Sequence, residues 1–558
     1  MAELPSKEDI RGFECKHAVY AKSTDGSKDD LVAIKEVIHT NDGRRIPNFR
    51  MVKNYPKNFW ITKEGHQNHK DKKEWEEMRR LQKYTTTQGR QVDDIARALG
   101  RPGAKTSLKM LARSPYLYGA DITTPTLIKR KYQETYPDCI STNSLAVIDI
   151  ETDVIQGHGR PIYVGITFKD KAFLAVTQEF IGTLPNPEKK LQKKFKELLG
   201  EYVESRGIQL EVQVCQNAGE ACAKAIEKAH EWQPDFVSAW NIDFDIPEIV
   251  QTLKDHNYNL ADVFSDKRVP PKYRFFNYRQ GQSQKITSSG KVIPVHPADR
   301  WHTVECPASF YFIDSMCLYK HIRSAAQNEP SYSLDFQLNQ HLGVRKLRFE
   351  GAEGYTGLAW HEKMQEDYKI EYGIYNLFDC IGVELFDEKV KDAAQTITIL
   401  AGASEFKIFN QQPKLLVDQL YFRALEKGLV VACHSDEMKT ELDEYTVPVT
   451  DWIITLPSHL TVENGLQVME ELPEAHSLAR GHVADLDVKS AYPYIQIILN
   501  ISKETTYREL CRMKEVDIWT QRMGGINLTA GAVNASEIAW SIFQAPKYEE
   551  LLEEFQKT

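Results

Sequence analysis

Three short stretches place acids and aromatics where they can do chemistry together. Residues 149–151 read D-I-E, with Asp149 and Glu151 at the end of the apolar run "LAVIDI". On a strand, positions i and i+2 face the same side, so these two carboxylates share a face and are costly to desolvate unless cations compensate. "AWNIDFDIP" supplies Asn241, Phe244 and Asp245 directly after a second apolar run. "YNLFD" supplies Tyr375 and Asp379, and i,i+4 spacing puts the phenol and the carboxylate on one helix face. A fourth stretch, "VADLDVKSAYPYIQIILNIS" at 483–502, reads as a buried strand that ends on Asp487 and turns sharply into a helix past Ser490, Ala491 and Tyr492. Taken singly, each has an ordinary structural reading: a surface strand end, a helix N-cap at Asp245, a half-buried tyrosine beside a solvated acid, an N-capping acid at a strand-to-helix turn. Their order and spacing carry more than any one of them.

The elements that must position these residues follow from local pattern. "LAVIDI" is an apolar run of strand length, and "PIYVGITF" and "KAFLAV" follow as a hairpin joined at "KDK". "NPEKKLQKKFKELLGEYVES" and "AGEACAKAIEKAHEW" read as helices, the second leading into the strand "DFVSAWN". Strand, hairpin, helix, strand, helix is an α/β pattern with a mixed sheet. "QKITSSGKVI" (284–293) reads as a protruding hairpin, "SYSLDFQLNQHLG" (331–343) as a helix capped by Ser333, and 371–394 as a strongly periodic helix. Upstream, the charge spacing of "NHKDKKEWEEMRRLQKY" predicts an exposed helix. "VDDIARALG" and "SLKMLAR" read as short amphipathic helices, "GRPGAKT" as a turn, and His66 and His69 as surface residues.

Bulk properties bound the class. A chain of 558 residues exceeds one core and suggests about three or four domains. The sequence has no apolar run of membrane-span length and no apolar signal-peptide core at its start, so a cytoplasmic protein is expected. Nine Cys without a C-x-x-C pair fit reduced thiols rather than a disulfide frame or a zinc site. Net charge is −9, yet residues 1–140 hold 27 Lys and Arg against 19 Asp and Glu, so an acidic chain can still offer phosphates a basic face.

D-x-E, then N-x2-F-D about ninety residues later, then Y-x3-D resembles the three motifs of the DnaQ-like (DEDDy) 3′→5′ exonucleases. The resemblance implies an RNase H-like sheet in which Asp149, Glu151, Asp245 and Asp379 hold two divalent cations, Mg²⁺ or Mn²⁺. Tyr375 would orient the attacking water, and Asn241 and Phe244 would bind the strand. Four carboxylates in one pocket repel, and two cations offset that. Two metals about 4 Å apart activate a water and stabilise the leaving 3′ oxygen.

"DVKSAYP" resembles D-x-x-S-L-Y-P, a palm motif of the family B DNA polymerases, which carry the same exonuclease upstream. By that resemblance Asp487 binds a polymerase-site Mg²⁺, Tyr492 packs under the deoxyribose and excludes a 2′-OH, and the amides near Ser490 and Ala491 lie along a dNTP triphosphate. Within family B, "NFWITKEGHQNHKDKKEWEE", "SYSLDFQLNQHLGVRKLRFEG" and "INLTAGAVNASEIA" are similar to the replicative polymerases of T-even-like bacteriophages, a likeness running from about residue 40 onward. Ala491 stands where Leu is usual and Tyr494 where Ser is usual. The fingers motif K-x3-N-S-x-Y-G and the second palm motif Y-x-D-T-D are absent from the sequence. One palm acid cannot hold two metals, and no fingers lysine neutralises the triphosphate.

The resemblance therefore implies an α/β (α+β multidomain) chain that is the N-terminal part of a split polymerase. An N-terminal domain spans 1–140, an exonuclease 141–395, a return segment to the N-terminal domain 396–430, and a partial palm 431–558. Its expected partners are primer-template DNA and its single-stranded 3′ end, dNTP, and a second polypeptide that supplies fingers, remaining palm and thumb and shares the polymerase-site Mg²⁺. A sliding clamp and a single-stranded-DNA-binding protein complete the set, in a host bacterial cytoplasm. Two other readings stand beside it: a stand-alone exonuclease with a vestigial palm, and a non-catalytic DNA-binding fragment. In relatives a hairpin in this domain helps separate strands, the role the resemblance gives to 284–293.

Overall fold

The computed structural model describes residues 5–435, apart from 71, 104–105, 287–289 and 326–328. The chain divides into two compact units, Met1–Val447 and Pro448–Thr558, and every described residue belongs to the first. The palm expectations, on Asp487, Ser490, Ala491 and Tyr492, lie outside the described residues.

The N-terminal part opens with an antiparallel meander of β1 (Ile10–Lys22), β2 (Asp30–Thr40) and β3 (Arg45–Lys53). The central strand β2 is buried along its whole length, lysine included. Strands β4 (Lys57–Thr62), β5 (Trp75–Glu77), β6 (Leu81–Thr86) and β7 (Leu117–Tyr118) follow, interleaved with helices α1 (Gln91–Ala98) and α2 (Leu108–Leu111), and α3 (Thr124–Thr135) closes the region. β4 lies between β6 and β7.

Here the expected charged helix at 68–84 does not form. Its residues make β5, a single 3-10 turn and β6 instead. Long-range pairing overrides the local charge spacing: β6 runs antiparallel to β4, and β5 pairs with a strand from residues 429–431. The two short amphipathic helices form, α2 with Ser107 as its N-cap.

A mixed six-stranded sheet organises the next region. In chain order its strands are β8 (Leu145–Thr152), β9 (Pro161–Phe168), β10 (Lys171–Thr177), β11 (Gln209–Cys215), β12 (Phe236–Ala239) and, later, β17 (Tyr311–Asp314), in spatial order β11-β10-β9-β8-β12-β17. β8, β9 and β10 are antiparallel neighbours, while β10–β11, β8–β12 and β12–β17 are parallel. β8, β9, β10, β12 and β17 are buried on both faces, whereas the edge strand β11 is polar at alternate positions and partly exposed. Helices between them are α4 (Gln178–Ile181), α5 (Pro187–Arg206), α6 (Ala218–Trp232), α7 (Ile242–Asp255) and α8 (Leu260–Phe264). Small antiparallel pairs link α8 to β17: β13 (Asn277–Arg279) with β16 (Thr303–Glu305), and β14 (Gln284–Ile286) with β15 (Val292–Pro294). The latter pair is the expected hairpin, and it leaves Ile286 74% and Val292 54% exposed.

Helices α9 (Ser315–Ile322), α10 (Leu334–Leu342, capped by Ser333), α11 (Leu358–Asp367) and α12 (Lys369–Val390) complete this region. α12 stops before the expected residue 394 because Lys391 adopts a left-handed conformation, φ +60°. The period of β8 sorts its side chains between two cores. Leu145 and Val147 join the core that includes α5 and α12, whereas Ala146, Ile148 and Ile150 join the core that includes α6 and α7. Asp149 and Glu151 continue the first series, so they face α12.

Short helix α13 (Ile397–Ala401) and helix α14 (Gln412–Glu426) then lead to β18 (Leu429–Val431), the partner of β5. The eight described cysteines are all unpaired, and all but Cys15 are buried. No helix among the described residues is long and apolar enough to cross a membrane.

Candidate metal centre

The last turn of β8, the first turn of α7 and the middle of α12 meet around one cleft of about 360 Å³. Its lining includes Asp149, Glu151, Asn241, Phe244, Asp245, Tyr375 and Asp379, every exonuclease position expected from the sequence. Carboxylate oxygens of Asp149, Glu151 and Asp379 all lie within 4.8 Å of one another. Asp245 lines the same cleft but is not part of that tight trio. Glu151, Asp245 and Asp379 are buried, and Asp149 is partly exposed.

Each acid is held by a neighbour. On α12, positions 372, 375, 376 and 379 repeat at three and four residues, so they share one helical face. From that face Asn376 Nδ2 donates to Asp149 Oδ2 at 2.7 Å, and the Tyr372 hydroxyl donates to Glu151 Oε2. His361 Nδ1 lies 2.7 Å from the Tyr372 oxygen and steadies it. The close approach of α12 to the sheet depends on two glycines. A Cβ at Gly165, which sits opposite Asp149 on β9, would fall 2.1 Å from Asn376 Oδ1, and one at Gly373 would fall 2.9 Å from the Tyr163 ring.

α7 is set by an acid from a different strand. Asp314, at the end of β17, accepts from the Ile242 amide at 2.8 Å and from the Cys317 amide at 2.7 Å, so one carboxylate caps α7 and α9 together. The ordinary alternative for Asp245, a helix N-cap, is not what forms. Asn241 occupies the cap position, and Asp245 lies inside the first turn, facing the cleft. Phe244, 49% exposed, stands at its rim.

The charges are unbalanced. Burial, then the Asp245, Asp379 and Glu151 carboxylates, pushes Asp149 well above the ordinary carboxyl range. Burial lifts Glu151 to about 8 against the Tyr372 hydrogen bond, and lifts Asp245 to about 8, with Asp314 adding repulsion. Burial also raises Asp379, with Lys346 opposing it. Lys346 was not expected from the sequence. Its Nζ donates to Asp379 Oδ2 at 2.5 Å and to the Tyr375 oxygen at 3.2 Å. Burial works against its charge, but Asp379, Tyr375 and Asp149 together hold it well above the usual lysine value. Tyr375 is pushed upward by burial and then by Asp379, so its phenol keeps its proton. Because Lys346 donates to the oxygen, the Tyr375 O–H remains available to point into the cleft.

One ammonium cannot balance four carboxylates. Among the described residues, Asp379 Oδ1 is buried without a hydrogen-bond partner. An all-oxygen set of this kind suits hard divalent cations such as Mg²⁺ or Mn²⁺. Tyr372 and Asn376 carried a usable signal, since helical spacing from Tyr375 and Asp379 points to both. Lys346 and Asp314 carried none, because tertiary folding alone brings Lys346 to the cleft and Asp314 to the start of α7. The sequence matches no protein-family model and no curated protein.

Proposed function

We propose that this chain is a 3′→5′ exonuclease of the DnaQ-like class on an RNase H-like sheet, and that it is the proofreading subunit of a split family B replicative DNA polymerase. The observation that carries the nuclease reading is the convergence of Asp149, Glu151, Asp245, Asp379 and Tyr375, from three separate stretches of chain, on one cleft.

In that reading Asp149, Glu151 and Asp379 hold divalent metal, with Asp245 completing a two-cation set. When bound, the cations supply Lewis acidity and a water acidified enough to attack phosphorus at neutral pH. The chain's own groups do the rest. Tyr375 donates its O–H to the attacking water and orients it. Lys346 offers its ammonium to a non-bridging phosphate oxygen. Phe244 gives the terminal base a stacking face, and Asn241 lies beside it to hold the sugar or base by hydrogen bond. Asn376 and Tyr372 keep Asp149 and Glu151 in position. The water oxygen bonds to phosphorus and gives up a proton to solvent, the P–O3′ bond breaks with its electron pair on O3′, and a proton from solvent completes the new 3′-hydroxyl. A mismatched end unpairs more easily and so arrives more often as a single strand.

A 5′-labelled single-stranded oligonucleotide tests the nuclease directly. The chain with Mg²⁺ or Mn²⁺ is expected to shorten it one nucleotide at a time from the 3′ end. An untouched substrate under both metals would overturn the reading. The polymerase half rests on Asp487 and Tyr492 in the sequence motif. There, primer extension is expected only when a second polypeptide bearing the fingers and second palm motifs is added, and extension by this chain alone would remove it.

A further inference from the structure

A second cavity adjoins the acidic cleft. It encloses about 410 Å³, and Lys346 and Tyr375 line both spaces, so they form the shared wall. Beyond that wall the chemistry changes. The first space is dominated by carboxylates. The second is lined by Arg348, Tyr355, Trp360 and Glu353, among others. Arg348 is exposed and, among the described residues, makes no ion pair or hydrogen bond. Tyr355 is 47% exposed, and Trp360 packs against Tyr375 with ring centroids 4.9 Å apart. Asp335, a second acid on the rim, is already engaged by Arg345 at 2.8 Å and by the Lys346 amide at 2.9 Å.

We infer that this second cavity is a subsite for the released nucleoside 5′-monophosphate, which passes the Lys346–Tyr375 wall after the bond is cut. The inference rests on the nuclease reading and deepens it. Hydrolysis turns a singly charged diester into a terminal monophosphate carrying nearly two negative charges, so a place that holds it away from the four acids must offer positive charge of its own. Two cations stand at the next space, and an unpaired guanidinium presents the forked donors that a terminal phosphate takes bidentately. Tyr355 and Trp360 provide ring faces for the base, and Glu353 accepts from the free 3′-hydroxyl that only the terminal nucleotide carries. The volume falls in the range of small-ligand sites, about 300–1,000 Å³, and suits one nucleotide rather than a strand.

Calorimetry with the full chain in EDTA tests this without metal or hydrolysis. The probes are 5′-dAMP, deoxyadenosine and a ten-residue oligothymidylate with a free 3′ end. 5′-dAMP is expected to bind, deoxyadenosine to bind at least fivefold more weakly, and Arg348→Ala with Tyr355→Ala to weaken 5′-dAMP at least fivefold while changing oligothymidylate less than twofold. Arg348→Lys is expected to fall between. Both changed side chains are exposed, so the double variant is expected to melt with the wild type, and its inhibition by 5′-dAMP in the nuclease assay is expected to need at least fivefold more nucleotide. No 5′-dAMP binding, or binding indifferent to the double variant, overturns the subsite. Equal weakening of oligothymidylate overturns it in favour of a strand groove. If the chain cuts no DNA but binds 5′-dAMP through Arg348, only the nuclease reading fails. If it cuts DNA and ignores Arg348, only the subsite fails.

Discussion

The N-terminal region and the acidic cleft both bury ionisable side chains, with opposite outcomes. In the N-terminal region four lysines are nearly inaccessible: Lys16, Lys35, Lys57 and Lys129. Each finds oxygen partners. Lys16 reaches Glu14 at 2.6 Å and the Ser141 carbonyl at 2.7 Å, and Lys57 reaches Gln91 at 2.8 Å and the Ile122 carbonyl at 2.7 Å. Lys35 donates to the Gln233 carbonyl at 2.5 Å, and Lys129 to the Ser404 carbonyl, so both tie this region to chain distant in sequence. The cleft buries the opposite charge and leaves it unfinished: four acids, one ammonium and an orphaned oxygen on Asp379. Satisfied buried charge fixes one arrangement of the chain. Unsatisfied buried charge stores a demand for a ligand, and a functional site is where that demand is tolerated.

The largest test of this contrast removes a cleft acid. Asp149→Ala is expected to lower single-strand cleavage by about 10³-fold or more, since metal-held charge stabilisation is lost. It is also expected to keep or raise the melting temperature of the metal-free chain, because repulsion is relieved. Lower stability together with unchanged cleavage would break the contrast. Lys346→Met comes next. Cleavage is expected to fall about 10²-fold, as for loss of one preorganised donor. Metal-free stability should fall too, since the acids lose their internal counter-charge.

Lys35→Met should do the reverse of Asp149→Ala. It leaves the Gln233 carbonyl unpaired in the interior, so unfolding by urea is expected to become about 1–3 kcal/mol easier. Cleavage per folded molecule should not change. A fourth measurement uses pH. Glu151 and Asp245 titrate near 8 in the folded, metal-free chain and near the ordinary carboxyl value when unfolded. The folded state therefore holds protons that the unfolded chain has already lost, and the stability these groups contribute is present at low pH and disappears as pH rises toward 8. Metal must displace the same protons. Its apparent affinity, followed by calorimetry, is expected to climb by up to about tenfold per pH unit per proton released, and to level off above 8. Flat affinity from pH 6 to 8 would show that these acids are not the ligands. The smallest effect belongs to the hairpin of β14 and β15. Deleting 286–292 is expected to slow removal of mismatched ends from duplex several-fold and to leave single-strand cleavage unchanged. Equal rates on both substrates would discard a role in strand separation.

Much of the sheet region was legible because its signals are local. Apolar runs of strand length marked β8, β9, β10 and β12, and the parity of β8 already put Asp149 and Glu151 on one side. The facing of α12 followed from its spacing. What escaped was set by contacts distant in sequence. Residues 75–86 have the charge pattern of a helix, but sheet partners at 57–62 and 429–431 decide their conformation. Lys346 sits between α10 and α11 with no periodicity of its own, and only the folded chain brings it to Asp379. The cap of α7 also escaped: it is made from β17 by Asp314, some seventy residues on, which leaves Asp245 to the cleft.

The pairing of β5 with β18 has a consequence for how the chain is made. Trp75–Glu77 emerges from the ribosome about 350 residues before Leu429–Val431, its strand partner. Through that interval the sheet region, whose strands all lie between 145 and 314, can assemble on its own schedule. The amino-terminal region cannot finish until residue 431 has left the ribosome, so a nascent chain arrested at about residue 430, its last few dozen residues still inside the ribosome, should already protect the cleft from proteases while still being cut near Trp75.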